Sequence, residues 1–326
     1  MVQIAQIGVG YWGPNLLRNL VANKRCTASM VAELSPERRD FVRGLYPAIT
    51  VTEDVDQVFS NPEIEAVVIA TPVATHFDLA MRALAAGKHI LIEKPMARSV
   101  AEVDAIGRLA DEKKRVAMVG HTFLFNNAVR YVKKLIELEE LGDVRYIYSQ
   151  RLNLGRIRSD VDSLWNLAPH DISVIQYWLG DPEPLSVVRR GADYIQNNID
   201  DVVFMSIMYP KKIMANIHVS WLDPLKVRSM VVVGSKKMVV YDDMADEKIA
   251  IYDKGIERKA SVGHDSQLPA FDHRSGDVLL PKIDFKEPLK VELDHFIDCI
   301  QNGTKCLTGV EHARKVVEIL ATANLQ

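Results

Sequence analysis

Two segments of the 326-residue chain carry residue types suited to proton transfer. They are Glu93-Lys94-Pro95 and Asn166-Leu167-Ala168-Pro169-His170. A histidine titrates near neutral pH, and burial or a nearby positive charge can lower the pKa of a lysine into the same range. Oxidation of a secondary alcohol needs a base for the hydroxyl proton and an acceptor for the hydride. The two segments therefore indicate alcohol oxidation, with Lys94 and His170 as alternative bases.

A glycine-rich segment offers a place for a hydride acceptor. Gly8-Val9-Gly10-Tyr11-Trp12-Gly13 follows a predicted strand and opens a predicted helix, which matches the dinucleotide-binding fingerprint. Glu33 ends the second predicted strand, 33 − 13 = 20 residues after Gly13, where a carboxylate accepts bonds from the adenosine ribose hydroxyls. It would repel a 2′-phosphate, so NAD is the expected cofactor rather than NADP. Arg38, five residues on, either reverses that preference or is a solvated helix arginine.

Two patterns describe the elements that position these residues. In the first 120 residues, short apolar runs alternate with helix-length segments, which predicts a doubly wound parallel sheet with helices on both faces. Later strands follow one another without helices, which predicts antiparallel pairing. We expect an α/β dinucleotide-binding domain at 1–121 and an α+β substrate and oligomerisation domain at 122–326. The predicted strands are Val2–Ile7, Thr27–Ala32, Ile49–Val51, Ala66–Ala70, His89–Ile92, Val116–Val119, Val144–Leu152, Leu185–Ala192, Val202–Met208, Ile213–Trp221, Val227–Val233 and Met238–Tyr241.

Two other regions carry local signals. A helix is predicted from Asn166 to Leu179, with Pro169 in its first turn and Asn166 one turn before His170, where the amide can orient the imidazole. The stretch from Gly255 to Pro288 contains several glycines and prolines and is predicted to be loop-rich. A substrate lid, an oligomer contact and a mobile surface loop are all open readings of it.

The composition narrows the class of protein. The chain is 48% hydrophobic with a formal net charge of -3, which argues against nucleic acid or an anionic membrane as the main partner. It has no apolar run long enough for a membrane span, and its amino terminus runs directly into a predicted strand, so no signal peptide is expected. Cys26, Cys299 and Cys306 show no metal-ligand spacing. We expect a cytoplasmic protein without a metal ion.

Several of these segments resemble one protein family. They are Gly8 to Gly13, Ala70-Thr71-Pro72 with His76, Glu93-Lys94-Pro95, the His170 segment, and Leu289 to Leu320 with His295-Phe296. The chain resembles the glucose-fructose oxidoreductase and inositol dehydrogenase (Gfo/Idh/MocA) family. The resemblance implies a Rossmann domain followed by a domain with a large, open, mostly antiparallel sheet, through which dimers or tetramers form. It also implies that the Lys94-Pro95 peptide is often cis.

The resemblance extends to particular site residues. It implies that Thr71, Pro72 and His76 line the cofactor, although Thr75 as a helix cap and His76 as a packed side chain would also explain that segment. His121 follows the sixth strand at the same sheet edge, where the family has an arginine and a proline shortly afterwards. This chain has Leu124 and Asn127 instead. The family more often has aspartate at the Asn166 position, and the amide here removes a charge that would raise the pKa of His170.

The substrate prediction rests on an arginine cluster. Arg151, Arg156 and Arg158 precede the histidine segment and suit a diphosphate or carboxylate, unless they are simply solvated. Asp171 is either a substrate contact or a charge at the start of a helix. The stretch from Leu152 to His170 resembles the branch of the family that oxidises the 3-hydroxyl of nucleotide-linked N-acetylated sugars. We therefore expect NAD-dependent oxidation of a sugar secondary hydroxyl, at C3 of a UDP-linked N-acetylated hexose or hexuronate.

Three alternatives are kept. The substrate could instead be a free inositol or aldose, which lacks the diphosphate of a nucleotide sugar. A sensor of this fold could bind NAD and a sugar without turnover, although Lys94 and His170 argue against it. A metallohydrolase would require an acidic and histidine cluster in the predicted loop to converge, without a known ligand spacing. The residues of that cluster are His264, Asp265, Asp272, His273 and Asp277.

Overall fold

The structure, a computed structural model, describes residues 1–259 and 270–324. It divides into two compact units, one made of residues 1–125 and 286–321 and the other of 126–285 and 322–326. His264 and Asp265, which the metallohydrolase alternative needs, lie outside the described residues. Within those residues, no helix is both long and apolar enough to cross a membrane.

The first unit contains a six-stranded parallel sheet in the order β3-β2-β1-β4-β5-β6. Its apolar strands are buried on both faces; every residue of Ala66–Ile69 is buried, as expected when helices cover both sides of a sheet. The predicted doubly wound α/β fold is confirmed. The strands are β1 (Val2–Ile7), β2 (Cys26–Ala32), β3 (Thr50–Thr52), β4 (Ala66–Ile69), β5 (His89–Glu93) and β6 (Ala117–Gly120).

Seven α-helices belong to the described part of the first unit, and local chemistry starts several of them. Pro14 and Pro36 occupy the first turns of the first two helices, and Ser99 accepts a hydrogen bond from the Glu102 N–H at 3.2 Å to cap the fifth. The last helix begins in this unit and ends just beyond its boundary. The helices are α1 (Gly13–Ala22), α2 (Pro36–Leu45), α3 (Asp56–Ser60), α4 (His76–Ala85), α5 (Val100–Lys113), α8 (Pro288–Asn302) and α9 (Val310–Ala323).

The second unit contains an eight-stranded sheet in the order β14-β13-β12-β11-β7-β10-β9-β8. Its neighbouring strands are antiparallel except for β10 and β7, which confirms the expected mostly antiparallel sheet. Two α-helices, α6 (Asn127–Glu137) and α7 (Ser163–Leu179), belong to the part of this unit that the structure describes. The strands are β7 (Val144–Leu154), β8 (Ser186–Ala192), β9 (Val202–Met208), β10 (Met214–Ser220), β11 (Leu222–Gly234), β12 (Met238–Asp242), β13 (Ile249–Lys259) and β14 (Ala270–Leu279).

Alternation along the strands gives this sheet two different faces. In β9, Val203, Met205 and Ile207 are buried, whereas the residues between them point to the other face. Helix α7 packs against β7, β9 and β10. The opposite face exposes apolar side chains of β7, β9 and β10, namely Tyr146, Tyr148, Phe204, Met208 and Met214.

Three sequence predictions are corrected here. The domain boundary at 121/122 is wrong for the C-terminal stretch, because 286–321 belongs to the first unit. The predicted loop from Gly255 to Pro288 is wrong over β13 and β14, which pair as an antiparallel hairpin. Helix α7 starts at Ser163, three residues before Asn166, because Asp162 caps it by accepting the Trp165 N–H at 2.8 Å. Pro169 therefore lies inside the helix rather than in its first turn.

Candidate functional site

The glycine loop of the first unit is shaped so that side chains would not fit. Gly8 has a φ of +89°, and a Cβ there would lie 2.6 Å from the Ala70 carbonyl oxygen. A Cβ on Gly13 would lie 2.9 Å from the Gly8 carbonyl oxygen. The Gln6 side-chain amide donates to the carbonyl oxygens of Gly8 and Gly13, each at 2.9 Å. The loop is therefore a fixed cradle at the start of α1, of the form that receives a pyrophosphate.

Glu33 stands beside this loop. Its carboxylate accepts the Val9 N–H at 2.6 Å and the Ser35 N–H at 2.9 Å. The negative charge is thus held next to the glycine cradle, where the fingerprint places the acid that contacts an adenosine ribose. Arg38 is exposed on α2, and one of its terminal nitrogens would lie 3.3 Å from a Cβ on Gly10. Both groups that bear on the choice between NAD and NADP are therefore near the loop.

The segment after β4 is held by His76. Its Nε2 lies 2.9 Å from the Thr71 carbonyl oxygen and its Nδ1 2.9 Å from that of Pro95. The ring is buried, and burial lowers its pKa, so the neutral form donates to one carbonyl at a time. The side chain thus ties two loops together from inside, and its contact with the cofactor stays a prediction. Thr71 and Pro72 are partly exposed and stay candidates for that contact.

Glu93, Lys94 and Pro95 follow at the end of β5. The Lys94-Pro95 peptide is cis. Glu93 accepts the Lys94 N–H at 3.2 Å and a hydrogen bond from the Trp12 side chain. Burial raises the pKa of the Glu93 carboxyl to about 7, and the nearby Lys94 charge opposes that rise. Through Trp12, Glu93 connects the glycine loop to the segment that carries Lys94, which is itself partly buried.

A group of buried ionisable side chains lies behind this segment. Glu292 of α8 is fully buried and accepts the Thr122 hydroxyl at 2.8 Å. Burial and the neighbouring Glu93 raise its pKa well above the usual range. His121 is also buried and meets His312 of α9 edge to face, with ring centroids 5.2 Å apart. Burial lowers the pKa of His121 well below the usual range. His121 is therefore a buried residue of the first unit, and its contact with the cofactor stays a prediction.

Glu292 is not among the residues that the sequence predicts for the site. A signal was present, because Leu289, Glu292, Leu293 and Phe296 share one face of α8. A charged residue on an apolar helix face is rare unless it has a buried partner or a task. The C-terminal stretch carried the family resemblance, but no individual residue in it was assigned.

In the second unit, α7 presents Asn166 and His170. The two residues are four apart, so they share a face of the helix, and both side chains are partly buried. Pro169 has no N–H to donate to the carbonyl of Trp165, so one helix hydrogen bond is missing directly before His170. The Ser173 hydroxyl donates to the His170 carbonyl oxygen at 2.8 Å. The predicted one-turn relation of the amide and the imidazole holds, although the helix begins earlier than expected.

The arginines of the predicted substrate cluster differ in their surroundings. Arg151 and Asp171 form a buried ion pair, with Nε 2.7 Å from Oδ2 and side chains only 7% and 1% exposed. In this structure the two residues are partners of each other, and their predicted contact with a substrate stays a prediction. Arg158 pairs with Asp160 at 2.6 Å, and Arg156 is exposed. Arg156 and Arg158 stay candidates for substrate binding.

Comparison with protein-family models identifies the family. Residues 2–121 match the NAD-binding Rossmann fold of the Gfo/Idh/MocA oxidoreductases, and residues 129–240 match the C-terminal domain of the same family. The chain belongs to the Gfo/Idh/MocA oxidoreductase family. The expectation drawn from the glycine loop and from Glu93-Lys94-Pro95 is thus confirmed at the level of the family.

Known relatives of this family member act on different compounds. A 2,7-anhydro-N-acetylneuraminate hydratase from Mediterraneibacter gnavus is 28% identical over 64% of this chain and 58% of its own length. A scyllo-inositol 2-dehydrogenase (NADP(+)) from Bacillus subtilis is 29% identical over 55% of this chain and 54% of its own. A UDP-N-acetylglucosamine 3-dehydrogenase from Acidithiobacillus ferrooxidans is 34% identical over 42% and 43%. The matched regions thus span roughly half of these relatives' lengths.

The whole chain can be compared with a solved structure. That of the Acidithiobacillus ferrooxidans UDP-N-acetylglucosamine 3-dehydrogenase covers 99% of this chain and 96% of its own, with a TM-score of 0.81 and 23% identity. At that identity the likeness shows the shared fold of the two proteins.

Proposed function

We propose that this family member oxidises a secondary hydroxyl of a sugar with NAD, at C3 of a UDP-linked N-acetylated hexose or its uronate. The observation that carries the proposal is the connection of the glycine cradle through Trp12 and Glu93 to Lys94. This connection links a dinucleotide-binding loop to a residue able to move a proton. When bound, the nicotinamide supplies the hydride acceptor.

The proton chemistry is assigned to Lys94 and His170. We propose that each can hold or accept the hydroxyl proton, with Asn166 orienting the imidazole. Glu93 would set the charge next to Lys94, because its carboxyl has a pKa of about 7 and so changes charge near neutral pH. The turnover of the Lys94 and His170 variants identifies which of the two is the main base.

The test separates chemistry from binding. Lys94→Met and His170→Ala should each lower turnover by at least about a hundredfold, the scale of lost acid-base catalysis, and leave NADH binding nearly intact. Lys24→Met, which removes an exposed lysine of the same unit, is the matched control and should behave as the wild type. Near-normal turnover in both catalytic variants would move the proton chemistry elsewhere. Failure of all compounds to yield NADH while NAD binds would favour the non-catalytic sensor.

The nucleotide part of the substrate is assigned to Arg156 and Arg158. Guanidinium groups form strong paired bonds with diphosphates, and the dehydrogenase relative named for UDP-N-acetylglucosamine supports this class of substrate. Replacing both arginines with alanine should weaken a UDP-sugar by about 1 to 3 kcal/mol per lost charged bond and leave a free sugar unaffected. If an inositol or free hexose yields NADH and no nucleotide sugar does, the assignment to nucleotide sugars is wrong.

The exposed apolar face of the eight-stranded sheet is assigned to a second copy of the chain. It carries Tyr146, Tyr148, Phe204, Met208 and Met214, and Phe204 stacks on His218 with ring centroids 4.0 Å apart. Contiguous apolar surface of this kind usually marks an interaction site. We expect light scattering to give at least a dimer, and Phe204→Asp to shift it toward a monomer. A monomeric wild type would contradict this assignment.

A further inference from the structure

Three side chains able to bind a metal ion meet at the end of α8. His295 and Cys299 are four residues apart and share one face of the helix. Cys306 follows in the next loop, after Gly303 ends the helix with a φ of +65° and turns the chain back. The imidazole nitrogen and the two sulfur atoms all lie within 4.8 Å of one another. The spacing along the chain concealed this group, because its third member comes from a loop.

The distances suit a tetrahedral ion. Bonds of about 2.3 Å to sulfur and about 2.0 Å to nitrogen place a sulfur and a nitrogen about 3.6 Å apart around zinc, and two sulfurs about 3.8 Å apart. The Cys299 sulfur lies 3.5 Å from the His295 Nε2, so these two atoms are already at the distance that zinc requires. The distances from the Cys306 sulfur to the Cys299 sulfur and to the His295 nitrogen are at most 4.8 Å, so each needs to shorten by about an ångström at most.

The charge of the three groups also suits a metal. Two thiolates neutralise the charge of a divalent ion, which favours the ion at a partly buried site. Two sulfurs and one imidazole select zinc among the common divalent ions.

One existing bond must change on binding. The Leu307 N–H donates to the His295 Nε2 at 2.9 Å. A metal at that nitrogen would release this N–H, which belongs to the residue after Cys306, and the Cys306 sulfur already accepts a hydrogen bond from the Thr308 backbone. Backbone N–H groups can donate to a thiolate, so the released group would have an acceptor nearby.

We propose that His295, Cys299 and Cys306 bind one zinc ion, with water as the fourth ligand. The ion would fasten the loop after α8 to the helix. That loop in turn holds β6, since the Thr308 carbonyl oxygen accepts the Val119 N–H at 2.9 Å and Gly309 pairs with Met118. The role is structural and independent of the proposed sugar oxidation. It replaces the sequence-based expectation of a protein without metal.

The test uses the full-length protein kept reduced, freed of metal by a chelator and titrated with cobalt(II). Wild type should bind one ion per chain and develop thiolate-to-cobalt absorption in the near ultraviolet. Cys299→Ser and Cys306→Ser should each lose that absorption and bind at least about a hundredfold more weakly. Cys26→Ser removes the buried cysteine of β2 outside the group and is the matched control. NADH binding by each variant reports that the first unit is folded.

The outcomes separate zinc from other uses of the thiols. Cobalt absorption equal in wild type and Cys306→Ser would overturn the proposal, as would a reduced wild type that binds no ion. Formation of a Cys299-Cys306 disulfide with a peroxide, in a protein that binds no cobalt, would also overturn it and identify a redox pair instead. Zinc that raises the thermal midpoint of wild type and Cys26→Ser, but not of Cys306→Ser, would support the structural role.

Discussion

Replacing Asp171 with asparagine should measure the cost of a buried charge that has lost its partner. Asp171 binds Arg151 at 2.7 Å with almost no exposure of either side chain. At an effective dielectric constant of about 20, that attraction is about 6 kcal/mol. Asparagine keeps an oxygen for the guanidinium but not the charge, so part of the bond survives. Arg228, which lies close enough for Arg151 to lower its pKa, adds repulsion once the carboxylate is gone.

Measured losses for broken buried pairs are about 3 to 5 kcal/mol, and we expect Asp171→Asn to fall in that range. For the second unit this corresponds to a thermal midpoint lower by about 6 to 20 °C. Asp160→Asn is the matched control, because the Arg158 and Asp160 side chains are 40% and 44% exposed, and it should cost less than about 1 kcal/mol.

A double replacement checks the cause. Arg151→Met with Asp171→Leu removes both charges and should recover most of the lost stability. Circular dichroism during heating measures all four proteins. Equal, small shifts for Asp171→Asn and Asp160→Asn would refute the reasoning. A large change in KM for a nucleotide sugar without loss of stability would restore the predicted substrate role of Arg151.

Three further outcomes are expected in the first unit. Calorimetric titration should show NAD(H) binding at least tenfold more tightly than NADP(H), a difference of about 1.4 kcal/mol, because Glu33 repels the added phosphate; equal affinities would contradict this. Gly8→Ala should abolish NADH binding, because its Cβ would lie 2.6 Å from a carbonyl oxygen, whereas Gly44→Ala on α2 meets nothing within 4 Å and should be neutral or stabilising. The pKa of Glu93 is raised from 4.5 to about 7, so its neutral form favours the folded state. Its contribution to the free energy of unfolding is therefore present below about pH 4.5 and is lost as the pH rises through about 7, by up to about 3 kcal/mol. Urea unfolding of Glu93→Gln should lack this decline, and identical pH dependence in wild type and variant would show that the carboxyl does not titrate there.

The sequence predicted the first sheet well because most of its strands are short apolar runs separated by helix-length segments. It also located the sheet edge at which Gly8, Glu33 and Lys94 lie, since parallel strands bring their carboxyl ends to one edge. It could not tell which residues at that edge face inward. His76 and His121 are both buried, and past a strand end the chain can turn either way.

In the second unit, the alternation of residues along a strand also predicts which side chains are buried. Ile147, Ser149 and Arg151 lie on one face of β7 and are all buried, so the period of two placed Arg151 inside. The pairing of β13 with β14 is not predicted from the sequence, because glycines in this stretch are typical of loops. Gly255 and Gly276 instead lie within strands, where a Cβ would approach the side chains of Arg274 and Asp253.

The return of residues 286–321 to the first unit bears on how the protein is made. A nascent chain that has emerged through residue 285 already holds all six strands of the first sheet, yet it lacks α8 and α9. Thr122 then has no Glu292 to receive its hydroxyl, and Val119 has no Thr308 carbonyl. Completion of the dinucleotide-binding half must therefore wait until residues 286–321 have been synthesised, whereas the described strands of 126–285 can pair beforehand. A fragment ending near residue 125 would leave the partners of α8 and α9 exposed, so the dinucleotide-binding unit is best isolated with both of its chain segments present.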